Sequence, residues 1–102
     1  MLKNNRSARG RLSDETLIAR VAHSDPTALE TLYDRYAPMV MGISLKIVGD
    51  PAAAEEVLQE TFWQVWQGAA SYPGQGRSFT GWLYRIARQV ATDIYQLKLS
   101  NK

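Results

Sequence analysis

The chain has 102 residues, of which 45% are hydrophobic, and this length and composition fit one domain with a modest core. The absence of cysteine excludes a disulfide framework and a metal site built on thiolates. No stretch approaches the roughly 18 consecutive apolar residues of a membrane span, and the basic N-terminus lacks the apolar segment of a signal peptide. We therefore expect a soluble, cytoplasmic protein.

Charge is distributed unevenly along the chain, although the net charge is only +2. Residues 1–12 carry four basic residues and no acid, which gives +4. Residues 13–70 carry nine acidic and three basic residues, or −6, and residues 71–102 carry five basic residues and one acidic, or +4. This segregation indicates two surfaces with different partners, one of them a polyanion.

A short helix is predicted after a flexible basic tail at residues 1–12. Ser13 or Asp14 caps this helix, which extends to about His23. Its apolar edge consists of Leu17, Ile18, Val21 and Ala22. His23 is the only histidine, and no second ligand candidate lies beside it, so a role at the helix end or surface fits better than catalysis or metal binding.

A second helix begins at Asp25-Pro26, because Asp is a good N-cap acceptor and proline at the first helical position loses no hydrogen bond. Its apolar residues keep a helical period: Leu29, Leu32, Tyr33, Tyr36, Val40, Ile43 and Ile47. Pro38 is expected to kink or loosen this helix, and Gly49 ends it.

A third helix, from Asp50 to Ala70, repeats the Asp-Pro start signal and carries two separate stripes. The predicted core stripe consists of Ala54, Val57, Leu58, Thr61, Phe62, Val65, Trp66 and Ala69. The second stripe consists of Glu56, Gln59, Glu60, Trp63 and Gln67. Trp63 is a large apolar group on the side away from the core, which favours a protein interface over a merely solvated helix face.

A polar, glycine-containing loop at residues 71–77 precedes the last predicted helix, which Ser78 caps. The apolar stripe of that helix consists of Phe79, Trp82, Leu83, Ile86, Val90, Ile94 and Leu97. Its other faces carry Arg85, Arg88, Gln89, Thr92 and Gln96, and residues 99–102 are expected to fray. No stretch alternates as a strand, so the sequence predicts an all-α compact bundle of about four helices.

Three separated motifs follow one another along the chain. They are the run 50–62 (DPAAAEEVLQETF) with Trp66, the polar loop, and the run 78–88 (SFTGWLYRIAR) with Asp93. Together they resemble region 2 of bacterial sigma factors, most closely the extracytoplasmic-function (ECF) type, over about residues 13–97. The resemblance implies a helical domain, residues 13–98, that docks on the clamp coiled coil of the RNA polymerase β′ subunit and recognises and melts the promoter −10 element.

The resemblance also implies a role for each stripe. In the family, the polymerase contact uses the acidic helix, and the matching residues here are Glu56, Gln59, Glu60 and Trp63. Its promoter contact falls on the loop and last helix, at Tyr72, Arg77, Trp82, Arg85, Arg88 and Gln89. Tyr72 and the loop through Arg77 would surround a base flipped out of the non-template strand, and Gln89 would read its edge.

Some of these residues also fit simpler roles. Arg85 and Arg88 fit solvated charges as well as phosphate or base contacts, and Trp82 fits the core as well as a support for the flipped base. The family commonly has Asn where this chain has Gln89, and several arginines where it has residues 94–98 (IYQLK), so the phosphate-binding end is weaker.

The same resemblance implies an anti-sigma factor as a further partner. It also implies a following domain that reads the −35 element, and residues 99–102 would begin the linker to that domain. We expect no cofactor and no metal, and we do not expect an enzyme. The chain lacks a nucleophilic cysteine, a phosphate-cradling glycine loop and a His/carboxylate cluster. The alternative is a protein-binding helical regulatory adaptor that does not read DNA.

Overall fold

The computed structural model describes residues 12–74 and 76–101, which form four α-helices and no strand. The helices are α1 (Asp14–Val21), α2 (Pro26–Val48), α3 (Pro51–Gly68) and α4 (Phe79–Ser100), with one 3-10 turn (Ala69–Ser71) after α3. The all-α prediction is confirmed. Of the predicted flexible tail at residues 1–12, Leu12 is described and packs against the core, whereas residues 1–11 lie outside the described residues, as does Lys102. Residues 99 and 100, which were expected to fray, continue α4.

Each helix begins at the cap that the sequence predicts. Ser13 Oγ accepts a hydrogen bond from the Thr16 N–H at 3.0 Å, and Asp25 and Asp50 accept from the first turns of α2 and α3. Ser78 Oγ accepts from the Gly81 N–H at 2.9 Å. These bonds satisfy amide groups that a helix N-terminus leaves without an internal partner, and they fix where the loops end.

The C-terminal end of α1 differs from the prediction, whereas that of α2 agrees with it. α1 ends at Val21, two residues before the predicted His23, and the chain then turns through Ser24 with a φ of 65°. α2 ends at Val48, directly before Gly49, which the sequence predicted as its terminator. Gly49 takes a left-handed φ of 71°. Between its ends α2 remains one helix through Pro38, whose side chain is exposed.

The core lies where α2, α3 and α4 meet, with α1 packed on its edge. Seven of the eight residues on the predicted α3 core stripe are buried, and Trp66 is half-buried. On α4, Phe79, Leu83 and Val90 are buried as predicted, together with Ala87 and Ala91.

The prediction was wrong for Leu97, which is 63% exposed. The last core cluster along α4 consists of Val57, Val90 and Ala91, with Ile94 at its edge. Leu97 lies about one turn beyond Ile94 and belongs to neither core cluster. A helical period identifies a face of α4 but does not tell where the neighbouring helices end.

A polar cluster joins α1 to the bundle. Asp14 Oδ1 accepts from Arg35 Nη1 at 2.7 Å, and the same nitrogen donates to the Leu12 carbonyl at 3.0 Å. The Tyr36 hydroxyl donates to Asp14 and lies 3.2 Å from the Thr80 hydroxyl on α4. Burial, and next the hydrogen bond to Asp14, raise the pKa of Tyr36, so the phenol stays protonated and keeps these helices linked at neutral pH.

Candidate functional site

Four predicted polymerase-binding residues lie together on the surface of α3. Their side chains line one shallow hollow of about 510 Å³, an acidic face made of Glu56, Gln59, Glu60 and Trp63. Trp63 is 53% exposed, which confirms that it lies outside the core. The hollow has a fifth member, Ile94 of α4, which the sequence pattern assigned to the core.

A second hollow lies beside Trp63 and is mostly apolar. Gln59 and Trp63 line it together with Pro26, Leu29, Phe62 and Trp66, in a volume of about 370 Å³. Trp63 therefore separates an acidic depression from an apolar one. Glu56 lies 3.8 Å from Lys98, and both side chains are well exposed, so this ion pair contributes little to stability and leaves the carboxylate available.

Three of the predicted DNA-binding residues meet in another hollow, the loop pocket, at the start of α4. Arg77, Trp82 and Arg85 line it, and Pro73, Ser78 and Gly81 complete its wall, around a volume of about 650 Å³. The arginines are exposed, whereas Trp82 is half-buried. An aromatic ring flanked by two guanidinium groups is a suitable surface for a base and its phosphates.

Trp82 serves the core and the pocket together. Its ring centroid lies 5.2 Å from that of Tyr72 and 5.9 Å from that of Phe79. These neighbours hold the indole from the core side, while its outer part lines the loop pocket. The sequence left the two roles open, and the structure contains both contacts.

Tyr72 does not line the loop pocket but supports it. Its hydroxyl donates toward Glu15 Oε2 at 2.6 Å and the Arg77 carbonyl at 2.8 Å. Burial, then the hydrogen bond and negative charge of Glu15, raise the pKa of Tyr72 to about 12. The phenol is therefore protonated and committed to contacts within the protein at neutral pH.

Gln89 also lies outside the loop pocket. It lines a smaller hollow of about 310 Å³, the helix hollow, with Tyr84, Arg85, Arg88 and Thr92. Gln89 follows Trp82 by seven residues, or about 10 Å along the helix axis. Its Nε2 donates to Asp93 Oδ1 at 3.0 Å, which orients the amide. Arg85 lines both hollows, so they adjoin each other on α4, and we call the two together the track.

Several residues that line these hollows were not predicted from the sequence. Tyr84 is 42% exposed, and its place one turn before Arg88 was the available signal. The parts of the chain that the structure describes contain no group of His, Cys, Asp and Glu suited to a metal ion. They also contain no helix with the length and apolar character to cross a bilayer.

The family model for sigma-70 region 2 matches residues 32–98, which include the acidic face, the loop pocket and the helix hollow. The chain belongs to this family. Its sigma-factor relatives include ECF RNA polymerase sigma factor SigK of Mycobacterium sp. (strain KMS), 35% identical over 79 residues. ECF RNA polymerase sigma factor SigL of Mycobacterium tuberculosis (strain H37Rv) is 30% identical over 76 residues.

These matches cover 78% and 74% of this chain but 41% and 43% of the two relatives, so the chain spans about two fifths of their length. A solved structure is also similar: the NMR structure of an engineered region 2 of sigmaE in complex with GTAAAA. It has a TM-score of 0.77 and 30% identity, with 88% of this chain and 92% of that chain covered. The ECF region 2 resemblance drawn from the sequence is thus confirmed.

Proposed function

We propose that this sigma region 2 domain binds RNA polymerase through its acidic face and recognises and melts the promoter −10 element through the track on α4. The observation that carries the proposal is the loop pocket, which Trp82 lines together with Arg77 and Arg85. The related region 2 of sigmaE forms a complex with GTAAAA, which supports single-stranded promoter DNA as the ligand of this track.

On the promoter side, the outer part of the Trp82 indole offers a stacking surface for one unpaired base. Stacking on an aromatic side chain contributes about 1–3 kcal/mol per base and tolerates any base. Selectivity must therefore come from hydrogen bonds to a base edge, and we assign this role to the Gln89 amide one step along the track. Arg85 and Arg88 would neutralise phosphates on either side.

On the polymerase side, the proposed ligand is the clamp coiled coil of the β′ subunit. Trp63 offers exposed apolar area between an acidic hollow and an apolar one. A basic and apolar helix surface is complementary to this arrangement, and tryptophan is the residue type that most often dominates such interfaces. The domain would act as a non-enzymatic subunit in the cytoplasm, and an anti-sigma factor would compete for the same faces.

Binding of labelled single-stranded oligonucleotides tests the promoter role directly. The series contains GTAAAA and its single-base variants, titrated with the chain at fixed salt while fluorescence anisotropy is recorded. We expect at least one substitution to weaken binding by about 5- to 100-fold, the range of one lost base contact. Equal affinity across the series, together with retained binding to the β′ clamp coiled coil, would instead support the adaptor function.

A further inference from the structure

The loop before α4 contains two glycines in left-handed backbone conformations. Gly74 has a φ of 60° and Gly76 a φ of 83°. Glycine backbones have more conformational freedom than others, so ordering this loop costs more entropy than ordering an average segment. The contacts that hold residues 72–78 therefore decide whether the loop pocket exists in one conformation.

Most hydrogen bonds of this loop are local. Within residues 12–74 and 76–101, the Tyr72 N–H donates to the Ala69 carbonyl at 3.2 Å, and the Arg77 N–H to the Gly74 carbonyl at 3.1 Å. The bond that reaches a distant part of the chain is the one from the Tyr72 hydroxyl to Glu15, at 2.6 Å. A bond of this length to a carboxylate is charge-assisted and stronger than one between neutral groups.

The Tyr72 hydroxyl connects Glu15 with both ends of the loop. It lies 2.8 Å from the Arg77 carbonyl, five residues along the chain, while its ring packs against Trp82. The phenol has a single hydrogen, which the two acceptors share, so the position of Glu15 and the closure of the loop depend on the same group.

Glu15 is presented by a helix that is itself fixed. Its neighbour Asp14 pairs with Arg35 of α2 at 2.7 Å, and Leu17 and Ile18 of the same helix are only 2% exposed. α1 is therefore a firm support for the loop. Glu15 also precedes residues 32–98, the part of the chain that the family model matches.

We infer that Glu15 is a positioning residue for promoter reading: through the Tyr72 hydroxyl it holds Arg77 and the wall of the loop pocket in the conformation that accepts a base. This inference rests on the proposed function. Under this inference α1 contributes to base selectivity, although it lines neither the loop pocket nor the helix hollow.

Glu15→Ala, Tyr72→Phe and the double variant test this role in the whole chain, with Glu30→Ala as the matched control. Glu30 is an exposed acid on α2, so the control removes the same charge. Each variant is titrated with GTAAAA and its single-base variants. We expect Glu15→Ala and Tyr72→Phe each to reduce discrimination by about 3- to 10-fold, and the double variant to lose no more than Tyr72→Phe alone, which already removes both bonds of the phenol.

Three further readouts separate positioning from a general loss of structure. Amide hydrogen exchange at residues 76–78 should accelerate in Glu15→Ala, while exchange in the core of α3 and binding to the β′ clamp coiled coil stay unchanged. Glu15→Gln, which keeps an acceptor oxygen, should retain most of the discrimination. Glu30→Ala should behave as wild type in base discrimination.

The outcomes also distinguish this inference from the proposed function. If the wild type discriminates between bases and Glu15→Ala discriminates equally well, the positioning role is refuted and the proposed function stands. A double variant that loses the product of the two single effects would also refute it, because Glu15 would then act independently of Tyr72. If the wild type itself does not discriminate, the proposed function fails and the inference fails with it.

Discussion

Thr61 lies on the core stripe of α3 with a fully buried side chain, and its hydroxyl has no hydrogen-bond partner among the described residues. A buried hydroxyl without a partner costs about 1–3 kcal/mol. We predict that Thr61→Val, which keeps the shape and removes the hydroxyl, raises the free energy of unfolding by about 1 kcal/mol.

Thr61→Ser is the matched control, because it keeps the hydroxyl and removes the methyl group. It should lower the free energy of unfolding by about 1 kcal/mol, the cost of one buried methyl group. Urea titrations of the three proteins provide the measurement. A lower stability of Thr61→Val would mean that the hydroxyl makes a hydrogen bond in solution.

Tyr72 gives a pH-dependent prediction, because its pKa is raised from 10.0 to about 12 in the folded chain. A raised pKa means that the phenol stabilises the fold fully below about pH 10, and that this contribution is lost as pH rises through about 12. Tyr72→Phe lacks this phenol, so its melting temperature should fall less between these pH values.

Thermal melts at matched pH values measure this difference, and the ultraviolet absorbance of tyrosinate follows the titration. The raised pKa of Tyr36 is common to both proteins and cancels in the comparison. Parallel loss of stability in the two proteins would show that folding does not raise the pKa of Tyr72.

Gln89 and Arg88 line the same hollow but should act differently on DNA. An amide reads the base edge in front of it, so Gln89→Ala should reduce discrimination at one base by about 1–3 kcal/mol. Arg88→Ala should weaken binding to all promoter sequences about equally. It should also make the slope of log affinity against log salt concentration shallower by about one, as expected of a phosphate contact.

Open-complex formation on single-base promoter variants, measured in the reconstituted holoenzyme, tests both residues. Equal losses on every promoter for Gln89→Ala would leave it a packing or backbone contact. A loss confined to one promoter position for Arg88→Ala would make that arginine a base reader instead.

At the scale of elements, α4 provides a matched pair of leucines. Leu83 is 0% exposed and Leu97 is 63% exposed, and each becomes alanine without a change in charge. Leu83→Ala should cost about 2–5 kcal/mol, enough to unfold much of a domain of this size. Leu97→Ala should change the stability by less than about 0.5 kcal/mol.

Circular dichroism during thermal unfolding distinguishes the two leucine variants. Phe62→Ala on α3 should resemble Leu83→Ala, because its side chain is 4% exposed and belongs to the same core cluster. Stability unchanged in Leu83→Ala would contradict the packing of α4 on the core.

The helices themselves were predictable because their signals are local. A cap residue and its first turn lie within three positions, and a buried stripe repeats within one helix. The error on Leu97 concerns a relation between distant elements, because this residue lies beyond the last core cluster along α4. Ile94 packs against that cluster as predicted, and it also lines the acidic hollow of α3, which the sequence did not indicate. The bond from Tyr72 to Glu15 spans 57 positions, and no local pattern indicates it.

At the scale of the whole molecule, α4 connects the two proposed functions. Ile94 lines the acidic hollow, and Arg85 lines both hollows of the promoter track. Nine residues separate them, about two and a half turns, so they lie on opposite faces of α4. The acidic face of α3 and the basic track of α4 therefore lie on opposite sides of α4. A substitution should remove one of these surfaces without removing the other.

Two single variants, each measured against two ligands, test whether the two surfaces bind independently. Trp63→Ala and Arg85→Ala change exposed side chains, so both should fold as wild type. We predict that Trp63→Ala weakens binding to the β′ clamp coiled coil by more than about 2 kcal/mol and leaves GTAAAA binding unchanged. Arg85→Ala should show the reverse pattern. Loss of both ligands in either folded variant, or clamp binding that survives Trp63→Ala, would contradict the account.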